Sequence, residues 1–334
     1  MGSRCGTLAA LVTTTDRSNR LRRLLIRFGP YLLTAVVLFA ILRKYSVPEI
    51  YAAMAAGNAW PLFPIALIFA VTNLFVVSSW DTLVLSSVLG GPRYLDVVRV
   101  KAGCAVLQAI GYLFNQGAYG TWIARATASG VRVAVGLILF TAGSDFAAGA
   151  LIATASIHLG RIPVGDVLRF GAPVCFVGMS LLLLGQRREP FSQSTLGERP
   201  GVVRVFRAVP RDRGAVQIFG RIANVALIIV AVWAAAKAFG LALPLRAAII
   251  YVPLIMLIGS LPVNVFGFGP VQGAWLLFTP WVPGPQILAF QILWNFALIL
   301  ANVTRGALFV PRILREVAEG IEPASEVVSR SDSE

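Results

Sequence analysis

The chain of 334 residues is 57% hydrophobic and only 13% charged, against about 25% charged residues in a typical soluble domain. Its apolar residues come in long runs, which excludes a soluble globular fold and points to an all-α, polytopic membrane helix bundle. The basic residues behind the net charge of +14 cluster in short connections between those runs, which is the pattern of the positive-inside rule and not of a nucleic-acid-binding domain.

Residues 1–27 read as a basic cytoplasmic tail. The run Phe28–Leu42 follows Arg17, Arg20, Arg22, Arg23 and Arg27. Arg43 and Lys44 come directly after it, and no small-x-small cleavage site follows, so an uncleaved first membrane helix is expected. Ala59–Leu89 is the second run, with Pro61 and Pro64 in its first turns, where a missing amide costs little. Gly90-Gly91-Pro92 ends it. A basic connection with Arg93, Arg99 and Lys101 leads to Ala102–Ala124, and Val131–Ile157 and Val167–Gly185 complete a first membrane half over residues 28–185.

Residues 186–214 form a basic cytoplasmic linker, with seven arginines against Glu189, Glu198 and Asp212. Within it, Val202, Val203, Val205, Phe206 and Val209 interleave with Arg204 and Arg207, which suits a short helix lying on the inner leaflet. The second half, 215–310, contains the runs 215–239, 247–261, 271–281 and 286–310. Val282-Pro283-Gly284-Pro285 makes a tight turn between the last two. Residues 311–334 form a polar tail with an acidic end. Cys5, Cys104 and Cys175 are far apart and show neither metal-ligand nor disulfide spacing.

Charge parity constrains the crossings. If all five runs before residue 186 crossed the membrane, the arginine-rich linker would lie outside. The polar, glycine-containing stretch Asn115-Gln-Gly-Ala-Tyr-Gly120 makes 102–124 the candidate for a re-entrant segment that does not cross. The expected bundle therefore has about eight spans, one or two re-entrant or broken segments, and both N-terminus and linker on the cytoplasmic side of the inner membrane.

A second break falls in the other half, at Ser260-Leu-Pro-Val-Asn264-Val-Phe-Gly-Phe-Gly269-Pro270. Backbone unwound at such depth must be buried in protein or line a wet cavity, because lipid satisfies none of its polar groups. Both breaks read Asn, four residues, Gly, with an aromatic just before the last glycine. Paired broken segments in two halves raise the expectation of an inverted repeat with a transport site between them; two independent helix kinks would leave the same trace.

These motifs resemble those of the lysylphosphatidylglycerol-synthase transmembrane region, a flippase-like family of bacterial membrane proteins. The resemblance covers most of residues 20–310. In the first motif Asn115, Gly117, Gly120 and Arg125 match; in the second, Leu261-Pro262, Gly267 and Gly269 match. Thr121 and Gln272 stand where the family pattern has acids. The resemblance implies an α-helical bundle that handles lipid, and the two neutral positions imply a substrate different from the family's, or lost transport.

Of the intramembrane polar residues, Asp145 lies mid-run. A charge there costs roughly 3 kcal/mol on insertion scales and should be paired; Arg125 is the nearest basic candidate. Asp81, next to Trp80, reads as interfacial, and Lys237 and Arg246 as snorkelling. Asn295, Asn302 and Arg305 share one helical face, a stripe that more often glues helices than binds a ligand. No carboxylate pair spaced for acid/base work, metal-ligand cluster, nucleophile motif or phosphate loop is present, so neither catalysis nor a cofactor is expected.

The function expected is binding and translocation of a lipid or lipid-linked amphiphile with an anionic headgroup. Its candidate contacts are Asn115, Gly120, Arg125, Asp145, Pro262, Asn264, Gly267, Gly269 and Gln272. Exposed amides at a half-helix start near Gly269 and Val271 would favour a phosphate. The alternatives are an accessory subunit that positions an envelope-synthesis enzyme, and a membrane transferase using a lipid-linked donor.

Overall fold

The computed structural model describes residues 29, 31–90, 92–109, 112–126, 130–159, 166–184, 205–206, 208–260, 269–311 and 315. Every regular element among them is helical. In chain order these are α1 (Tyr31–Lys44), α2 (Val47–Ala56), α3 (Leu62–Leu89), α4 (Tyr94–Cys104), a 3₁₀ turn (Ala105–Ala109), α5 (Tyr112–Ala126), α6 (Val131–Leu159), α7 (Asp166–Leu184), α8 (Arg211–Phe239), α9 (Leu245–Ser260), α10 (Pro270–Trp275) and α11 (Gly284–Gly306).

Local chemistry sets several of these boundaries. A 79° bend separates α1 from α2. Ser46 opens α2: its Oγ accepts from Glu49 N at 3.4 Å, and Glu49 Oε2 accepts from Ser46 N at 3.3 Å, a reciprocal capping box. Gly90, at φ +66°, ends α3 in the left-handed region. Gly240 ends α8 at φ +101°. There the amide of Leu241 reaches Ala236 O at 2.9 Å and that of Gly240 reaches Lys237 O at 3.0 Å, the paired bonds of a Schellman motif, which needs a left-handed residue at this position.

Among the described residues four helices are long and apolar enough to cross a membrane: α3, α6, α8 and α11. The bent pair α1 and α2 makes a fifth if taken as one span. The chain is thus a multi-pass membrane protein by length and composition. Two further apolar segments, 169–184 and 245–259, are shorter.

The directions of the long helices follow from their contacts. At the start of α3, Asn58 N donates to Phe239 O at 3.3 Å, at the end of α8; further along, Trp80 packs on Gly220 and Asp81 pairs with Arg221. The two helices are antiparallel. On α6, Phe140 packs near Gly214 and Asp145 pairs with Arg221, so α6 and α8 are parallel. Phe290, early in α11, packs on Phe239 with the rings tilted by 48°, while Arg305, late in α11, reaches Ala70 O on α3. Hence α11 runs with α3, and α6 and α8 run against them. The connection through α4 and α5 therefore leaves and returns at one end of the bundle, and the connection through α9 and α10 leaves and returns at the other.

Alanine fills much of the helix interfaces: Ala66, Ala70, Ala235, Ala236, Ala247, Ala248, Ala289 and Ala301 are all buried. Small side chains let backbones approach closely, which matters where lipid on the outside is as apolar as the interior. Gly306 shows the same need at one point, since any side chain there would collide with Ala102 O on α4.

Two expectations change here. The stretch Asn115–Gly120 is not a break: it lies inside the continuous helix α5. A helical glycine costs only about 1 kcal/mol relative to alanine, and Gly120 is held against Ile138 of α6. The interruption lies earlier, at the 3₁₀ turn Ala105–Ala109. In the linker, Val205 and Val209 are buried, and Phe206 packs on Phe140 at 5.9 Å between ring centroids. This part of 186–214 is core packing and not a helix lying on a leaflet; residues 186–204 lie outside the described residues. Arg211 Nε donates to Leu184 O at 3.1 Å, which ties the start of α8 to the end of α7.

Candidate functional site

The densest polar assembly lies where α3, α4, α5, α6 and α8 meet. Arg221 on α8 is its centre, with a side chain only 1% exposed. Its Nη2 donates to Asp81 Oδ1 on α3. Its Nη1 donates to both carboxylate oxygens of Asp145 on α6, at 3.3 and 3.2 Å. Lys101, from α4, forms a second ion pair with Asp81. The Tyr119 hydroxyl on α5 donates to Asp81 Oδ2 at 3.4 Å, and Lys101 Nζ sits 4.9 Å from the centre of the Tyr119 ring. Asn224 Nδ2, one turn beyond Arg221, donates to Asp145 Oδ1 at 3.0 Å. One turn before it, the Gln217 amide donates to Trp80 O at 2.9 Å and accepts from Arg221 Nε at 3.1 Å in the orientation that satisfies both neighbours.

Charge arithmetic explains why the assembly is tolerable. Two carboxylates, Asp81 and Asp145, face two cations, Arg221 and Lys101, so the cluster is neutral as a whole. Each charge alone would cost several kcal/mol to hold away from water. Guanidinium geometry matters too, because a planar fork fixes the direction of its bonds to each carboxylate, whereas an ammonium is a point charge on a flexible stem. Burial is uneven. The Asp81 side chain is 3% exposed and that of Asp145 32%, so Asp145 is the open member. Beside Asp81 and Tyr119 runs a narrow cleft walled by Leu85, Ile123, Leu137 and Thr141.

No family model matches the chain, and no curated protein does.

The residues singled out from the sequence are distributed as follows. Asp145 is in the cluster, but its partners are Arg221 and Asn224 and not Arg125. Arg125 is exposed in the last turn of α5, which cannot serve a carboxylate held in the bundle by α8. Asp81 is buried and doubly paired, not interfacial. Asn115 is half-buried on α5, four residues before Tyr119. Pro262, Asn264 and Gly267 lie outside the described residues. Gly269 is buried at φ +131° just before α10. Gln272 is also buried, and its Oε1 accepts from Gly269 N, so that amide is already satisfied and not presented to a phosphate. α5 packs on α4 and α6, whereas α10 packs on α9 and α11; the two segments have different neighbours.

Sequence reasoning missed Arg221, Lys101, Tyr119, Gln217 and Asn224. A signal for three of them existed. Gln217, Arg221 and Asn224 follow the spacing i, i+4, i+7, which places them on one face of a helix that is otherwise strongly apolar. Arg221 was hidden by the basic linker just before it. Lys101 was hidden by Arg93 and Arg99, which are exposed.

Proposed function

We propose that the chain is a non-enzymatic membrane protein that binds and translocates a lipid or lipid-linked amphiphile across the cytoplasmic membrane of a bacterium. One observation carries the reading. Arg221, on the second half of the chain, is inserted between Asp81 and Asp145, which both belong to the first half. Such a bridge works as a latch between two bodies. An anionic headgroup that arrives on the open side of Asp145 would compete for Arg221 Nη1 and release it.

The arrangement of helices supports the same reading. Each half has a long helix, a connection that returns to the end it left, and a second long helix: α3, α4–α5, α6 in one, and α8, α9–α10, α11 in the other. α3 and α8 are antiparallel, so the halves read as an inverted repeat with returning segments entering from opposite faces. With α1 and α7 this gives six crossings and two re-entrant segments. The ends bearing Arg93, Arg211 and Arg213 then face the cytoplasm, as the positive-inside rule requires. The motif resemblance to the lysylphosphatidylglycerol-synthase transmembrane region agrees with a lipid substrate. Rocking one half against the other would expose the cluster to each side in turn.

The test is reconstitution into vesicles with fluorescently labelled phospholipids of several headgroups, followed by dithionite quenching from outside. The expected result is a quenchable fraction that rises from about one half towards completeness with the wild-type protein, and stays near one half with Arg221→Gln. Quenching equal to that of protein-free vesicles for every headgroup would refute translocation.

A further inference from the structure

Arg305 on α11 is solved differently from Arg221. Its Nη1 donates to the backbone oxygen of Ala70 on α3. Its Nε is buried with no hydrogen-bond partner, and no carboxylate of the described residues lies within ion-pair distance of it. A carbonyl dipole does not neutralise a guanidinium, so this charge is uncompensated where the Asp81–Arg221 cluster is balanced. Arg305 is half-buried, and even partial burial of an unpaired cation in a membrane helix is costly.

The surroundings are built to hold it in place. One turn earlier, Asn302 Nδ2 donates to Gln108 Oε1 at 3.3 Å, which ties α11 to the 3₁₀ turn between α4 and α5. One residue later, Gly306 sits against Ala102 O of α4. Asn73, one turn along α3 from Ala70, has a buried amide oxygen without a partner. Arg305 is thus held by its own bond to α3 and by the packing of its neighbour Gly306 on α4, and among the described residues the edge formed by its Nε and Nη2 bonds to nothing. That edge is the one that binds phosphate with two parallel hydrogen bonds.

We propose that Arg305, flanked by the Asn302–Gln108 amide pair, is a binding site for a phosphate anion, either a phospholipid headgroup or free phosphate. The site is separate from the Arg221 latch. It rests on the lipid reading only for the expectation that the phosphate is a headgroup, and it requires no transport.

The experiment measures binding in the purified full-length protein, held in neutral-detergent micelles. Thermal stabilisation is followed with added phosphatidylglycerol, diacylglycerol or inorganic phosphate. Wild-type protein should prefer phosphatidylglycerol over diacylglycerol, which lacks the phosphate, by about tenfold or more, the effect of a charge-assisted bidentate contact. Arg305→Gln should abolish that preference, and Arg305→Lys, which keeps the charge but loses the fork, should weaken it. Stabilisation by inorganic phosphate that is lost in Arg305→Gln identifies a free anion as the source. A phosphatidylglycerol preference that survives excess phosphate identifies the headgroup. Equal binding of both lipids by wild type with no phosphate effect, or an anion preference unchanged in Arg305→Gln, overturns the site. If Arg305→Gln does not fold, an undiminished preference in Arg305→Lys overturns it as well. No arm measures translocation, so the site can fail while lipid flipping stands, and the reverse.

Discussion

Arg221 and Asp81, 140 residues apart in sequence, form a direct ion pair in which both side chains are almost completely buried. The pair joins α8 to α3, and with Asp145 it joins α8 to α6. Its energetics are asymmetric. An intact, fully bonded pair contributes little net stability, because each ion has lost its hydration. Removing one partner leaves an uncompensated charge and costs about 3–5 kcal/mol. Arg221→Met should therefore lower the melting temperature in detergent sharply, as should Asp81→Leu alone. The double variant should melt above either single variant, and strict additivity of the two losses would show that the pair is not energetically coupled.

Asp145 should behave differently although it shares the same arginine. Its side chain is one-third exposed, and Asn224 also bonds it. Asp145→Asn keeps the shape and a polar partner for Arg221, and the single positive charge it leaves in excess lies on the side of the cluster that solvent reaches. A stability loss of about 1 kcal/mol or less is expected, in line with a partly solvated pair. Lipid translocation in vesicles should nevertheless fall strongly, since Asp145 is the partner that an arriving headgroup would displace. A variant that melts as wild type and transports as wild type would remove Asp145 from the mechanism.

A third prediction concerns packing. A methyl group on Gly220 would lie 2.5 Å from the Trp80 ring, whereas one on Gly171 meets nothing within 4 Å. Trp80 is adjacent to Asp81, so a displaced ring also disturbs the Asp81–Arg221 pair. Gly220→Ala should destabilise the protein by about 1–3 kcal/mol, the usual cost of overpacking. Gly171→Ala should be neutral or slightly stabilising, because it removes backbone freedom from a helix. Melting curves of the two variants, measured side by side, separate the effect of this contact from that of glycine replacement in general.

The elements differ in how legible they are in the sequence. The long apolar helices, the proline-marked starts of α3 and α11 and the glycine stop of α3 were legible, because they follow from local rules of hydropathy and backbone freedom. Residues Asn115–Gly120 misled, because glycines and a polar pair look like a helix break, while tertiary packing of Tyr119 and Gly120 keeps that segment helical. The cluster was half legible. Asp145 stood out as a charge inside an apolar run, but its partner lay 76 residues away on a helix whose orientation only the packed bundle reveals. Asp81 was misplaced for the same reason: an aspartate next to a tryptophan fits a membrane interface equally well until Lys101 and Arg221 are seen to meet it.

The last prediction tests the returning connection. α3 and α6 are antiparallel, so the segment between Gly90 and Val131 starts and finishes at one end of the bundle. Arg93, just before α4, and Arg125, in the last turn of α5, are both exposed. Asn58, beside the far end of α8, is exposed at the opposite end. In a background with Cys5, Cys104 and Cys175 replaced by serine, Arg93→Cys and Arg125→Cys should react with a membrane-impermeant maleimide from the same face of sealed vesicles. Asn58→Cys should react only from the other face. Labelling of positions 93 and 125 from opposite faces would mean that α4 and α5 together cross the membrane. Then α6 could not run against α3, and the proposed inverted relation between the halves, on which the proposed latch depends, would be lost.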